Sequence, residues 1–428
     1  MGAQVGARRS CGNLMVRPLR YVTRYVTAPL VLAMAGAVAF PALAQQSAAL
    51  DPSAFRQCVA NLRSKAASEG ISASVIGRAF DRIQPNPRVI ELDRKQPEFM
   101  QTFWQYLDAR VTDTRIQRGR EMLSVHGSLL RDVEQRYGVQ ARYLVAFWAL
   151  ESNFGDYTGD MDVIESLTTL ACDQRRSRYF ESELMHALSI ADEGSVSVEM
   201  MEGSWAGAMG QSQFMPSTFV RYAVDFDGDG RRDLWRSLPD VFASSANFLR
   251  SLGWRPGEEW GEEVILPAGF DYALADGSTD RTLIEWNRLG VRRANGDRLP
   301  ESQYAGPILM PAGYRAPAFL LYPNFKIIKR WNNSNLYAIA VGHLADRIVG
   351  RGPFVKPRPP GEEPLRREEV EEIQRRLAML GFDAGEPDGI VGPMTRAAAR
   401  DFQRSVGMPA DGYPNLDLLE RLRRASRS

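Results

Sequence analysis

One stretch of the chain reads Tyr143-Leu-Val-Ala-Phe-Trp-Ala-Leu-Glu-Ser-Asn-Phe-Gly155. Its unbroken apolar run, residues 144–150, predicts a buried helix. One ionisable residue, Glu151, follows this run directly. Because apolar surroundings disfavour a charged carboxylate, we expect a raised pKa and an acid that keeps its proton near neutral pH, as a general acid must. The alternative is a surface glutamate at a helix end, beside a Gly155 cap.

The composition describes an ordinary globular protein of two or three domains. The chain has 428 residues, 44% hydrophobic and 25% charged. With 53 basic and 52 acidic residues it has a net charge of +1, so we expect no nucleic-acid partner. The scattered histidines and cysteines match no zinc-ligand spacing, which argues against a zinc peptidase or amidase.

The pattern of apolar residues predicts a mainly α body over residues 45–349. Residues 55–69 place Cys58, Leu62 and Ala66 on one helical stripe, and residues 241–252 repeat this periodicity. Short alternating stretches near Ile265 and Phe319 predict a small β portion between residues 255 and 325.

The first 44 residues have the layout of a cleavable signal peptide. Five arginines without an acid precede a short apolar run, and small residues follow at Ala42 and Ala44. We expect cleavage after Ala44, a periplasmic location and no transmembrane segment in the mature chain, which we expect to be a monomer. A retained membrane anchor is the alternative. In an oxidising compartment Cys58 and Cys172 are free either to form a disulfide or to remain two buried thiols.

The C-terminal part begins after a proline-rich linker, residues 350–365. Five prolines within residues 350–364 predict an extended spacer without helix or central strand. Residues 366–428 then show three short helical patterns separated by glycine-containing turns, which predicts a compact three-helix module.

A second segment of the body combines small residues, aromatics and amides. It reads Gly203-Ser-Trp-Ala-Gly-Ala-Met-Gly-Gln-Ser-Gln-Phe-Met-Pro-Ser-Thr-Phe219. Small residues let the backbone approach a ligand, aromatic faces bind its apolar surface and amides bind its hydroxyl groups. Sugars present both kinds of surface.

Together the two segments resemble the family B lytic murein transglycosylases. The matching motifs are Ala149-Leu-Glu-Ser-Asn-Phe-Gly155 and Gly207-Ala-Met-Gly-Gln-Ser-Gln-Phe-Met-Pro216, in that order. The resemblance implies a lysozyme-like, α-rich catalytic domain, peptidoglycan glycan strands as the partner and no organic cofactor. It implies Glu151 as the sole catalytic acid and base. It further implies glycan contacts from Ser204 and Gln213, contacts near the peptide stem from Arg175 and Arg176, and polar cleft contacts from Asn332 and Tyr337.

Two positions depart from the family pattern. Trp331 stands where a tyrosine is usual, and Phe248 stands where some members have a tyrosine. Each change removes a hydroxyl group, so the substrate hydrogen bonds there are in question. The structural alternatives are a helix cap for Asn332 and a core position for Tyr337.

The number of carboxylates indicates the reaction. Glycoside hydrolysis normally takes two carboxylic acids, one of which activates water or acts as a nucleophile. A lone Glu151 suits the family reaction, in which the MurNAc–GlcNAc β-1,4 bond breaks without water and a 1,6-anhydro-MurNAc end forms. The alternatives are a water-using muramidase and a non-catalytic wall-binding scaffold.

An acidic loop predicts structural calcium. It reads Asp225-Phe-Asp-Gly-Asp-Gly-Arg-Arg-Asp233 and resembles an EF-hand loop without its closing glutamate. The expected ligands are the carboxylates of Asp225, Asp227 and Asp229, the carbonyl of Arg231, and Asp240, the position that closes the loop in the resembled family. The alternative is an ion-free acidic turn that caps the following helix.

The C-terminal module has its own resemblance. Gln374-Arg-Arg-Leu-Ala-Met-Leu-Gly-Phe382 and Gly385-Glu-Pro-Asp-Gly-Ile-Val-Gly-Pro-Met-Thr395 are similar to the type 1 peptidoglycan-binding domain. This resemblance implies a second wall-binding site on the spacer, which would raise the local concentration of the catalytic domain at the wall. An unrelated three-helix bundle is the alternative.

Overall fold

Helices dominate the computed structural model, which describes residues 51–95, 101–360 and 363–427. These residues belong to one compact unit, Ser47–Ser428. The predicted signal peptide, residues 1–44, lies outside the described residues. Across the described part, no helix has both the length and the apolar character that crossing a bilayer would need.

The body contains fourteen α-helices within the described residues, as predicted for a mainly α fold. They are α1 Pro52–Ser68, α2 Ala73–Phe80, α3 Pro87–Lys95, α4 Phe103–Arg110, α5 Asp113–Val125, α6 Gly127–Tyr137, α7 Ala141–Ser152, α8 Val163–Ala171, α9 Ser177–Asp192, α10 Pro216–Tyr222, α11 Leu238–Ser251, α12 Leu283–Arg288, α13 Pro323–Trp331 and α14 Asn335–Ile348. Short 3-10 turns occur at Val198–Met200 and Tyr272–Ala275.

Helix α7 lies at the centre of the main hydrophobic core. Each of its residues from Tyr143 to Ala149 is buried, as the apolar run predicted, and α5, α6, α11 and α14 pack around it. Such a helix has no solvent-facing side, so its C-terminal end delivers Glu151 into the interior of the body.

The β structure is small. A four-stranded antiparallel sheet has the order β5-β3-β8-β7, and two-stranded pairs join β1 to β2 and β4 to β6. The strands are β1 Met161–Asp162, β2 Glu202–Gly203, β3 Gly261–Ile265, β4 Arg281–Thr282, β5 Arg292–Arg293, β6 Ala305–Gly306, β7 Ile308–Leu309 and β8 Ala318–Leu321. The stretches expected near Ile265 and Phe319 are β3 and β8, which pair with Val264 opposite Ala318. The pair β1–β2 was not predicted.

The C-terminal module is the predicted three-helix unit. Its helices are α15 Arg367–Met379, α16 Pro393–Ser405 and α17 Leu416–Ala425. They enclose a separate small core that includes Ile373, Leu377, Phe402, Leu418 and Leu422.

The linker has no helix or strand in its described part, as the prolines predicted, but it packs on the body. The carboxylate of Glu263 on β3 accepts hydrogen bonds from the backbone N–H groups of Val355 (2.6 Å) and Lys356 (2.8 Å). The ring of Phe354 stacks on His343 at 3.8 Å and contacts Phe319 at 4.8 Å between centroids. The predicted extended spacer is therefore also docked on the body, because an aromatic ring and a carboxylate that accepts two hydrogen bonds hold it there.

Cys58 and Cys172 form a disulfide, which decides between the two alternatives left open by the sequence. Their Cα atoms lie 5.9 Å apart, and the bridge joins α1 to the residue that ends α8. The bridge closes a loop of 114 residues.

Candidate active site

Glu151 sits in the last turn of α7 and is half-buried. Burial raises its pKa to about 7, while hydrogen bonds from the side chains of Tyr337 and Trp331 act in the opposite direction. The Tyr337 hydroxyl donates directly to Oε1 of Glu151. Tyr337 is buried, as its structural alternative required, and also contacts the acid. At neutral pH a substantial fraction of Glu151 is therefore protonated, as expected for a general acid.

An aromatic cluster shields one side of the acid. Trp331 stacks on Phe147 with ring centroids 4.4 Å apart and also contacts Phe214 (5.3 Å) and Phe248 (5.4 Å). The two residues that depart from the family pattern thus pack against each other. Trp331 also hydrogen-bonds to Glu151, so this aromatic cluster lies directly against the acid.

A cleft of about 570 Å³ opens at Glu151. Its lining includes Ser204 and Gln213 from the second segment, together with Trp205. The structure thus brings both sequence segments to one site. The side chain of Gln213 donates through Nε2 to the carbonyls of Thr158 (2.7 Å) and Gly210 (2.9 Å). The Ser204 Oγ accepts from the Ala208 N–H at 3.0 Å and keeps its own proton to donate.

Close backbone packing explains the small residues at the cleft. Gly159 has a φ of +104°, and a Cβ atom there would lie 2.0 Å from the carbonyl oxygen of Gly203. A Cβ on Gly203 would in turn lie 2.2 Å from the Ala208 carbonyl oxygen. Any larger side chain would therefore push apart the two cleft walls that β1 and β2 join.

The two segments are also locked together behind the cleft. Trp148 Nε1 donates to Gln211 Oε1 at 2.7 Å, and Gln211 Nε2 donates to the Trp235 carbonyl at 2.7 Å. This chain of hydrogen bonds fixes α7 against the loop that carries Gln213, so both sides of the cleft keep their spacing.

Arg175 and Arg176 bind a carboxylate that the sequence analysis did not single out. Asp93 on α3 is 2% exposed, and its two oxygens accept from Arg175 Nη1 (2.9 Å) and Arg176 Nη2. Neither arginine is among the described residues that line the Glu151 cleft, but α3 contributes Arg88 and Leu92 to it. The arginines therefore hold a wall of the cleft in place, and their contact with a peptide stem stays a prediction.

Asn332 lies directly after α13 and is exposed. It is the C-cap residue of α13, as the structural alternative predicted, and its backbone N–H donates to the Ile328 carbonyl at 3.3 Å. The side-chain cap of the next helix, α14, is Ser334, whose Oγ accepts from the Tyr337 N–H at 3.3 Å. A substrate contact from Asn332 stays a prediction.

Two further residues at the site were missed. Tyr106 on α4 is buried; burial raises its pKa, and the charge of Glu151 also raises it, which places its ring close to the acid. Asp160 is an exposed second carboxylate in the cleft and accepts from the Tyr157 hydroxyl at 3.2 Å. Tyr106 gave no local signal because its proximity to Glu151 arises from the packing of distant helices.

The acidic loop presents one group of carboxylates. Oxygens from Asp225, Asp227 and Asp229 all lie within 4.8 Å of one another and are exposed. Asp225 also accepts from the N–H groups of Gly228 (2.7 Å) and Gly230 (2.9 Å), which wraps the loop around the acids. Such an all-oxygen donor set fits calcium.

Asp240 lies outside that group. It is fully buried, and its two oxygens accept from the backbone N–H groups of Phe226 (2.7 Å) and Asp233 (2.8 Å). The following helix α11 is capped by Ser237. Asp240 therefore ties the ends of the loop together, and ligation by Asp240 or the Arg231 carbonyl stays a prediction.

Comparison with known proteins gives two family matches. Residues 54–346 match the family described as the transglycosylase SLT domain, and residues 366–422 match a peptidoglycan binding domain. The chain is 31% identical over 245 residues to membrane-bound lytic murein transglycosylase B of Escherichia coli (strain K12). That alignment covers 56% of this chain and 65% of the relative, so the chain spans somewhat less than two thirds of the relative's length.

Solved structures extend the comparison. The chain is 47% identical to SltB3 from Pseudomonas aeruginosa in complex with NAG-anhNAM-pentapeptide, with a TM-score of 0.83 over 86% of this chain and 99% of that one. It is 26% identical to the Escherichia coli lytic transglycosylase Slt35 in complex with calcium, with a TM-score of 0.60 over 69% of this chain and 92% of that one. The chain therefore belongs to the lytic transglycosylases of the SLT family, and it carries a peptidoglycan-binding domain after the catalytic body.

Proposed function

We propose that this protein is a lytic transglycosylase that cleaves the MurNAc–GlcNAc β-1,4 bond of peptidoglycan and leaves a 1,6-anhydro-MurNAc end. The main support is the position of Glu151, which has a pKa of about 7 and lines a cleft. Ser204 and Gln213 line the same cleft. The solved complex of SltB3 with an anhydro-muramyl peptide supports it.

The mechanism uses one side chain twice. Protonated Glu151 donates its proton to the glycosidic oxygen as the bond between C1 of MurNAc and that oxygen breaks, so that the oxygen leaves with GlcNAc. The resulting carboxylate then removes the proton from the C6 hydroxyl of the same MurNAc, whose oxygen closes the ring at C1. Protons balance, no water is consumed, and the Tyr337 hydroxyl stabilises the transient carboxylate by hydrogen bonding.

Activity should depend on pH through Glu151. Only the protonated form starts the reaction, so the rate is expected to be nearly constant below pH 7 and to fall about tenfold per pH unit well above it. The measurement is kcat/KM on soluble glycan strands from pH 5 to pH 9. A rate that keeps rising through pH 8 would contradict the assignment.

A conservative variant tests whether Glu151, rather than another titrating group, controls the pH dependence of the rate. Tyr337→Phe removes a hydrogen bond that lowers the pKa of Glu151, so the midpoint of the alkaline fall should move to higher pH. A midpoint that stays in place, with the variant folded, would mean that another group controls the profile.

We propose that the acidic loop binds a structural calcium ion. Asp225, Asp227 and Asp229 supply a clustered oxygen donor set, and Slt35 has been solved with calcium. When bound, the ion would offset two of the three negative charges of these adjacent carboxylates. The loop runs into α11, whose Ser245 hydroxyl lies 3.1 Å from that of Ser212 in the cleft segment. A bound ion would thus stabilise a helix that supports the cleft.

Calcium should therefore raise the thermal stability of the protein. For a site with a Kd of about 10⁻⁴ M, about 10 mM calcium would add about 2.7 kcal/mol to the free energy of unfolding. Differential scanning calorimetry should show this shift with calcium but not with magnesium. Asp229→Asn should match the unsubstituted protein in chelator and lose most of the calcium shift. An equal shift in both proteins would exclude the loop as the site.

The location and biological role follow from the same substrate. We propose action in the periplasm, in remodelling or turnover of the cell wall. The Cys58–Cys172 bridge supports export, because such bridges persist in oxidising compartments.

A further inference from the structure

Helix α3 forms one wall of the Glu151 cleft and has two distinct faces. Arg88 and Leu92, which lie one helical turn apart, line the cleft. Val89 and Asp93, also one turn apart, are buried on another face of the same helix. One face of α3 therefore packs on the body while the other meets whatever enters the cleft.

Polar contacts fix α3 at both of its ends. At its start, Asn86 Nδ2 donates to Glu165 Oε1 at 2.7 Å, and the Asn86 N–H donates to Thr169 Oγ1 at 3.0 Å. At its end, Arg175 Nη1 donates to the Asp93 carbonyl at 2.6 Å, in addition to its bond with the Asp93 carboxylate. A helix held at both ends keeps its cleft face in one orientation, as a binding site requires.

Arg88 is the only cation among the described residues that line this cleft. Arg175 and Arg176 do not line it, and both bind the buried carboxylate of Asp93. A negatively charged group in the cleft therefore meets the positive charge of Arg88.

The counter-ion of Arg88 holds it only weakly. Arg88 Nη1 donates to Glu91 Oε2 at 2.7 Å, and the two side chains are 59% and 40% exposed. Exposed pairs of this kind contribute little, because water screens both charges. A guanidinium offers N–H donors on several edges, and this bond uses one of them, so Arg88 can bind a second carboxylate while Glu91 stays in place.

The exposed acid of the cleft does not use the remaining donors. Asp160 accepts from the Tyr157 hydroxyl at 3.2 Å, and among the described residues it forms no ion pair with Arg88. The free edge of the Arg88 guanidinium is therefore available to a ligand.

We infer that Arg88 is a specificity-determining residue that pairs with a carboxylate of the peptide stem on the MurNAc at the scissile bond. Planar guanidinium groups bind carboxylates through two parallel hydrogen bonds. Because Arg88 and Glu151 line one cleft, the muramyl residue at the acid also brings its stem to Arg88. A stem with free carboxylates is therefore bound more tightly than a neutral stem. The inference rests on the proposed function, which supplies this substrate.

The test compares two soluble substrates that differ only in charge. Both are tetrasaccharides of alternating GlcNAc and MurNAc with the dipeptide stem L-Ala-D-Glu, and the stem carboxylates are either free or amidated. Release of anhydro ends by the full mature chain gives kcat/KM for each substrate. We expect a preference of roughly fivefold for free carboxylates, which is the upper range for an exposed charge pair.

Variants of two arginines on α3 assign this preference. Arg88→Gln should abolish it, and Arg88→Glu should reverse it, because a negative charge then stands at the same point. A reversed preference is not a result that a loosened structure alone would give. Arg94→Gln is the matched control, since Arg94 lies on the same helix, pairs with Asp173 at 3.5 Å and does not line the cleft. This variant should keep the full preference.

Three results would overturn the inference. They are equal cleavage of the two substrates by the unsubstituted protein, an unchanged preference in Arg88→Gln, and an equal loss of preference in Arg94→Gln. Anhydro ends from the amidated substrate report the proposed function separately. If neither substrate yields them, the proposed function fails together with the inference.

Discussion

Replacing Glu151 by glutamine is expected to lower the rate of glycan cleavage by about 10²–10⁴-fold while the fold is kept. Glutamine has nearly the same shape and still accepts a hydrogen bond from Tyr337, but its amide is not acidic enough to transfer a proton to the leaving oxygen and not basic enough to take one back. Turnover is measured as anhydro-muropeptide release from purified sacculi, and folding by circular dichroism and thermal unfolding.

Asp160→Asn is the matched control. Asp160 is the other carboxylate among the described residues of the cleft, and a two-carboxylate hydrolase would need it. We expect this variant to keep most of its activity. If Glu151→Gln stayed near normal, or if Asp160→Asn were as inactive as Glu151→Gln, a single acid and base could not be the mechanism.

Removing the disulfide should produce the largest loss of stability. The bridge closes a loop of 114 residues, and the double variant Cys58→Ser/Cys172→Ser is expected to lower the free energy of unfolding by about 2–5 kcal/mol. Urea unfolding followed by circular dichroism gives the difference.

The reduced protein provides the control for this variant. Dithiothreitol should lower the stability of the unsubstituted protein toward that of the double variant and leave the double variant unchanged. Equal midpoints for all samples would show that the bridge does not stabilise the fold. If the double variant lost activity under conditions in which it is still folded, the loop after Cys172, which carries Arg175 and Arg176, would also shape the active site.

The local pattern of apolar residues was sufficient to predict the main features of the fold. The apolar run before Glu151 requires a helix buried all round, and α7 is one. The alternating stretches near Ile265 and Phe319 became the paired strands β3 and β8. In each case the signal is the spacing of apolar residues within one segment, which is a property of the sequence itself.

Contacts between residues that lie far apart in the sequence could not be predicted from local pattern. The binding of Arg175 and Arg176 to Asp93 joins residues about eighty positions apart, and nothing near Asp93 marks it as buried. The contact of Phe354 with His343 likewise depends on the three-dimensional position of the body surface beside the linker. The prolines predicted that the linker is extended but could not predict what it contacts. The apolar run alone marked Glu151 as a candidate acid, whereas Ser204, Gln213 and Tyr337 were singled out only because the family resemblance supplied long-range information.

The most direct test of a single acid acting without water is the mass of the product. Sacculi are digested by the purified protein in ¹⁸O-labelled water, and the new muramyl ends are examined by mass spectrometry. We expect new ends that are lighter by one water than a reducing end and free of ¹⁸O. Reducing ends that carry ¹⁸O would show that water attacks the bond, and the protein would then be a muramidase.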